Sequence, residues 1–266
     1  MQRACPQLNL RRAVDARADG HAPGERNFFG RQGSFADNGP HDIRKHLMDG
    51  NHVEEDSIGR VRLVLASASP RRADLLRAAG IEFDVLTGTI DESRHPGEGA
   101  EAYVTRLAEA KAGAVVSRAG GRPVLGADTV VVCGEEILGK PSDANDAKRM
   151  LRNLSGRTHL VMTGVCLIHE PAEAGPHASG VGAASGVGAG FSRLVVTTAV
   201  QFAPLTEAEI DWYVASGEPE GKAGAYAIQG LASRFVTAIS GSYTNVVGLP
   251  VALVHTLCKK AGILVS

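Results

Sequence analysis

Apolar and polar positions follow no sustained period up to about residue 60, then fall into clear runs and stripes. The first stretch is rich in Arg, Asp, Gly, His and Asn. It is too polar to bury the surface that would offset its ordering entropy, so residues 1–60 are expected to form a disordered N-terminal extension. From Val61 the run VRLVLAS is compact, apolar and bounded by small residues. That predicts a buried strand opening a folded domain over residues 61–264. The next segment, SPRRADLLRAAG, carries helix punctuation: Ser69 at the cap, Pro70 in the first turn, Leu75, Leu76 and Ala79 on one face, Gly80 past the end.

A short strand and loop are expected over 81–92, a long amphipathic helix over 100–118, a second buried strand in PVLGADTVVV, and a turn and return in EEILGKP. Ser142 or Asp143 caps a helix running to about Leu154. Two long strands, THLVMTGVCLIHE and FSRLVVTTAVQFAPL, flank a Gly/Ala/Ser-rich insert at 171–190 that reads as a flexible hairpin tip. Thr206 and Glu209 form a capping box before EAEIDWYVASG, and glycine-punctuated loops lead to a last helix from about Pro250 to Lys260. The fold class is mixed α/β. The long antiparallel-looking strands argue against a purely doubly wound sheet.

Composition changes the picture mainly by exclusion. Lys plus Arg (28) and Asp plus Glu (29) nearly cancel, so no overall basic field exists to hold a nucleic-acid backbone or an anionic membrane. Any anion site has to be local. One Trp and four Tyr also argue against a nucleic-acid-binding module. No apolar run approaches the roughly 20 residues of a spanning helix, and the N-terminus lacks a secretory apolar core. A cytoplasmic protein is expected. Cys5, Cys133, Cys166 and Cys258 lie far apart and read as reduced, mostly buried thiols. The run His41, Asp42, His46, Asp49, His52 has metal-ligand residue types, but nothing fixes its geometry.

Six places carry candidate chemistry. At Ser67-Ala68-Ser69-Pro70-Arg71-Arg72 a buried strand meets a helix N-terminus with two hydroxyls and two guanidinium groups, a place where phosphate binds, or else a capped helix with solvated arginines. Asp128 stands inside an apolar strand. A lone buried carboxylate costs several kcal/mol unless a cation or donors meet it, so it either binds metal, accepts a proton or ends a strand in a turn begun by Gly126. Lys111 follows Val104 by seven and Leu107 by four, which puts it on the apolar stripe of its helix, pointing inward for function or snorkelling past the core. Lys140, between Gly139 and Pro141, either returns an ammonium to the same crevice or is solvated. Asp91 and Glu92 form a further acidic pair in a loop. Tyr226, Gln229, Tyr243 and Asn245 lie in glycine-rich loops where they offer donors and ring faces to a base, unless the loops are plain turns.

In order along the chain, LASASPRRADLL, IDE, RLAEAKA, VLGADTVV, LGKP, MLRNLSGRTHLVMTGV, AGAYAIQG and GSYTNVVGLP closely resemble the successive motifs of the Maf family of nucleotide pyrophosphatases, over about residues 61–264. The resemblance implies an elongated curved mixed sheet flanked by helices, with a deep cleft, similar to inosine-triphosphate pyrophosphatases. It also implies a divalent metal, Mg2+ or Mn2+. Asp128 matches the family's proton acceptor, and Arg71, Thr129 and Gln229 match its specificity positions. Ser67, Arg72, Glu92, Lys111 and Lys140 match residues that contact phosphates or metal, with Asp128 and Glu92 as the expected metal ligands. YAIQG with GSYTNVVGLP is similar to the branch acting on dTTP and UTP, the alternative within enzymes being the 7-methyl-GTP branch. A nucleotide-sensing regulator of cell division is the non-catalytic alternative. The family often forms dimers, so a homodimer is expected.

Overall fold

The computed structural model describes residues 62–169, 187–188 and 190–263. The N-terminal extension, with its His/Asp run and Cys5, and most of the 171–190 insert lie outside the described residues.

The chain begins with a β-α-β unit: β1 (Leu63–Leu65), α1 (Pro70–Ala78) and β2 (Phe83–Val85), the two strands pairing in parallel. α2 (Ala100–Val116) then leads into β3 (Val124–Cys133), which lies parallel to β1 and turns back antiparallel as β4 (Glu136–Leu138). After α3 (Ala144–Leu154), the long β5 (Thr158–Ile168) runs antiparallel to both β3 and β7 (Phe191–Phe202). A short β6 (Val187–Gly188) joins β7. α4 (Glu207–Ala215), β8 (Val236–Ser240), α5 (Tyr243–Val247) and α6 (Val251–Lys260) complete the order. The open sheet runs β2-β1-β3-β5-β7-β6, with β4 beside β3 and β8 beside β7. It is mixed and flanked by helices, in agreement with the α/β reading.

Local signals act where expected. Thr206 and Glu209 exchange both capping-box bonds, and Asp143 rather than Ser142 caps α3 by accepting from the Asp146 N–H. Ser69 does occupy the N-cap of α1, but its side chain makes no capping bond. The buried face of α1 is Arg72, Ala73 and Leu76, and Ala79 is exposed. The helix is turned toward Arg72, whose guanidinium has partners inside the protein. β8 and α5 replace what the sequence showed only as loop. The residues of β8 are mostly exposed, so its strand character comes from pairing with β7 and not from an apolar pattern of its own.

Alternation along β3 divides the core. Val124, Gly126 and Asp128 face α2, while Leu125 and Ala127 face the side packed by α1 and α6. Gly126 and Gly164 let α2 lie against the sheet at backbone distance: a Cβ at Gly126 would sit 2.1 Å from the Ala108 carbonyl oxygen, and one at Gly164 2.3 Å from that of Val104. Gly164 is the residue directly opposite Asp128 in the β3–β5 ladder. The same glycines that bring α2 down therefore bring Lys111 to Asp128.

β3 also outruns its neighbours on the other edge. β1 meets it at Val124 and Leu125, and β4 at Val131 to Cys133, so residues 126–130 have a strand partner only on the β5 side. This interruption of the sheet is where the cleft opens.

Gly164→Ala is expected to destabilise the protein by about 1–3 kcal/mol, because the added methyl meets helix backbone that cannot step aside alone. Urea denaturation checks this; an unchanged midpoint would mean that α2 is not pinned at this point.

Candidate active site

The cleft encloses about 360 Å³, which suits a small ligand of nucleotide size. Its walls come from the turn after β1 with the start of α1, from the open part of β3, from Glu92 and Lys140, and from residues 221–229.

One wall is an alternating chain of charge. Lys111 donates to Asp128 Oδ1 at 2.6 Å and lies 2.8 Å from Glu92 Oε1, and Lys140 reaches Glu92 Oε2 at 3.4 Å. The Asp128 and Lys111 side chains are 12% and 14% exposed, so the pair is nearly buried, whereas Glu92 is 44% exposed. Among the described residues none donates to Asp128 Oδ2, and Asp128 borders the cleft. Burial pushes the Glu92 carboxyl up, but the hydrogen bond and charge of Lys111, helped by Lys140, more than offset this and hold it below its ordinary value. Glu92 is itself positioned by α2: Tyr103 donates its hydroxyl hydrogen to the Glu92 carbonyl at 2.7 Å, and Arg106 bonds the Ser93 carbonyl while pairing with Glu98. Asp91 turns away and accepts from the Ser93 N–H and hydroxyl.

Another part of the cleft lining is cationic. Arg71, half-buried, projects from the first turn of α1, and Lys222 stands near it at the start of the 222–229 segment. Burial lowers the pKa of both, and for Lys222 the neighbouring Arg71 charge adds to the effect. No described carboxylate pairs with either group at ion-pair distance. Glu218 and Glu220 lend Lys222 some counter-charge from a distance, but two cations without a contact ion pair, beside a helix N-terminus, suit a polyphosphate site.

Arg72 has a different position from Arg71. Its Nε donates to the Gly248 carbonyl at 2.8 Å, Nη1 to Ser67 Oγ at 3.0 Å and Nη2 to Thr129 Oγ1 at 3.1 Å. Three of its five N–H groups thus tie α1 to β3 and to the turn between α5 and α6. Thr129 continues the network to Thr163 at 2.9 Å. Ser67, Thr129 and Arg72 all border the cleft, but the two hydroxyls serve first as acceptors for the guanidinium.

The remaining expectations are met unevenly. Lys111 points inward as its spacing required, yet it does not border the cleft; it stands behind the two carboxylates. Gln229 lies exposed on the cleft wall, beside a turn fixed by Glu218, which accepts from the N–H groups of Leu231 and Ala232. Asn245 offers nothing to a base, because it is fully buried and donates to the Val161 carbonyl and Thr198 Oγ1 at 3.0 Å each. Tyr243 is exposed away from the cleft. Tyr226 borders the cleft but bonds through its hydroxyl to His159 Nε2 at 2.9 Å.

His159 and Lys222 are two residues the sequence reading passed over. Lys222 opens the KAGAYAIQG segment, whose glycines and amide are its more distinctive residues. His159 had the same mark as Asp128, a polar side chain in an apolar strand. Gly224, at φ +68°, donates its N–H to the Gly139 carbonyl, joining the Lys222 segment to the Lys140 turn.

Among the described residues no three or more His, Cys, Asp or Glu side chains converge. That excludes a closed zinc-type cage there. Two carboxylates bordering a cleft fit Mg2+ or Mn2+ instead, because such ions take one or two carboxylates and complete their shell with water and substrate phosphates.

His159 also allows a pH test of the cleft floor. Burial holds its imidazole down to about 4 from an ordinary 6.5, against a weaker opposing contact with the Arg157 backbone. As pH falls below 6.5 the unfolded chain takes up the proton and the fold does not. Stability should therefore drop progressively between about pH 6.5 and 4, by up to about 3 kcal/mol in all. Urea melts at stepped pH should show a flatter slope for His159→Phe over this window; equal slopes would show that the imidazole is not held neutral.

Comparison with known proteins gives the chain a family. The family described as Maf-like protein matches residues 62–261. A dTTP/UTP pyrophosphatase of Anaeromyxobacter sp. (strain Fw109-5) is 53% identical over 201 residues, covering 76% of this chain and 90% of that protein. The dTTP/UTP pyrophosphatase of Myxococcus xanthus (strain DK1622) is 50% identical over 201 residues, 76% of this chain and 93% of its own length. That of Geobacter sulfurreducens is 48% identical over 203 residues, 76% and 98% respectively. Matched over three quarters of its length and by nearly complete relatives, this chain belongs to the Maf-like protein family.

Proposed function

We propose that this protein hydrolyses dTTP and UTP, together with modified pyrimidine triphosphates, to the nucleoside monophosphate and pyrophosphate in the cytoplasm. The observation that carries the reading is the Asp128 carboxylate: one oxygen is fixed on Lys111, no described residue donates to the other, and Asp128 borders a cleft that Arg71 and Lys222 also line. A sensor that only bound the nucleotide would need no proton acceptor beside the phosphates. The curated relatives carry the same substrate pair in their names.

In the proposed reaction the triphosphate lies between the two walls. Asp128 Oδ2 takes a proton from a water molecule as the water oxygen bonds to the α-phosphorus. The bond from the α-phosphorus to the bridging oxygen breaks, and its electron pair leaves on pyrophosphate. Arg71, Lys140 and Lys222 offset charge on the phosphates, and the unspent N–H groups of Arg72 add to the same field. Asp128 and Glu92 would hold the divalent cation, which when bound supplies charge neutralisation on the triphosphate and a more acidic water. Gln229 is placed to hydrogen-bond the pyrimidine edge, where an amide left unpaired by the wrong base costs about 1–3 kcal/mol.

One panel tests the reading. Purified protein is given dTTP, UTP, GTP and 7-methyl-GTP with Mg2+, and pyrophosphate is measured. The wild type should prefer dTTP and UTP, Asp128→Asn should lose about 10²–10⁴-fold in kcat while remaining folded, and Gln229→Ala should narrow the UTP-to-GTP preference. A 7-methyl-GTP preference, nucleotide binding without turnover, or full activity in Asp128→Asn would each overturn the corresponding part.

A further inference from the structure

The carboxylates suited to the divalent cation already share a resident one. Lys111 Nζ is 2.6 Å from Asp128 Oδ1 and 2.8 Å from Glu92 Oε1, and Lys140 neutralises the other Glu92 oxygen. Arg71, Arg72 and Lys222 border the same cleft and add positive charge. Five cationic side chains therefore stand around two carboxylates, and a free dication entering this half-buried space meets a field of its own sign. A triphosphate meets the opposite field.

We infer that Lys111 is a fixed internal counter-ion that keeps the Asp128–Glu92 pair from holding a free divalent cation, so that the cation is taken up together with the nucleotide and not before it. This rests on the metal-dependent triphosphate reading and goes beyond it in assigning Lys111 to cation loading instead of phosphate contact. Lys111 is suited to the part by its place on α2, which Gly126 and Gly164 hold at backbone distance from β3. It stands behind the carboxylates and does not border the cleft, so it blocks no substrate.

The test uses Mn2+ alone, titrated into the full chain without nucleotide and followed by the electron-spin-resonance signal of free Mn2+. Wild type should bind weakly. Lys111→Met should bind at least about tenfold more tightly, since an ammonium a few ångströms from the ion has been removed. Lys111→Arg, which keeps the charge, should stay as weak as wild type. The thermal midpoint of Lys111→Met should also rise more with Mn2+ than that of wild type, because the ion then replaces the missing counter-charge. Equal Mn2+ affinity in wild type and Lys111→Met, or equal tightening in Lys111→Arg, would overturn the inference. So would micromolar Mn2+ binding by the wild type without nucleotide, whatever the variants do. UTP turnover by wild type, measured on the same preparation, separates loss of this inference from loss of the pyrophosphatase reading.

Discussion

A carboxylate placed within an apolar strand has to be met by a cation, and in this protein Lys111 meets Asp128 at 2.6 Å with both side chains nearly buried. Such a pair is weak evidence for stability, because desolvating two charges consumes most of what their attraction returns. Removing one partner is a different matter, leaving an uncompensated buried charge at a cost of about 3–5 kcal/mol. A well-packed apolar pair would serve the fold as well. The retention of charge here is intelligible as chemistry, since the second oxygen of Asp128 remains open to a cleft lined with cations.

The rest of the architecture can be traced from that contact. α2 must come close enough for a lysine to span the distance, and Gly126 and Gly164 permit it by presenting no Cβ to the helix backbone. β3 must be reachable from its outer edge, and the gap between β1 and β4 leaves residues 126–130 without a strand there. The opposite wall must be held at a fixed separation. Arg72 does this by bonding Ser67, Thr129 and Gly248 at once, joining parts of the chain 176 positions apart. Two adjacent arginines therefore differ in use: Arg72 holds the cleft together and Arg71 faces into it.

Much of this was legible in the sequence. Asp128 stood out because its neighbours belong in a core, and Lys111 because helical spacing put it on an apolar stripe; both signals are local periodicities that survive without coordinates. The β1–α1 turn announced itself by its cap, proline and arginines. What the pattern could not carry was partnership. Nothing near Arg72 in the chain tells that its acceptors are Gly248 and Thr129, nor that Lys111 would stop behind the carboxylates. Asn245 and Tyr226 looked available for a ligand, yet Val161, Thr198 and His159, all distant in sequence, claim the Asn245 amide N–H groups and the Tyr226 hydroxyl. β8 was invisible for a related reason, since its exposed residues become a strand only through the neighbouring edge of β7.

The central claim is that Asp128 directs water to the α-phosphorus of a bound pyrimidine triphosphate. Hydrolysis of UTP in heavy-oxygen water, with the products resolved by mass spectrometry, tests it most directly. The account predicts the heavy oxygen in the phosphate of the nucleoside monophosphate and none in pyrophosphate. Heavy oxygen in pyrophosphate, or orthophosphate released in its place, would contradict it.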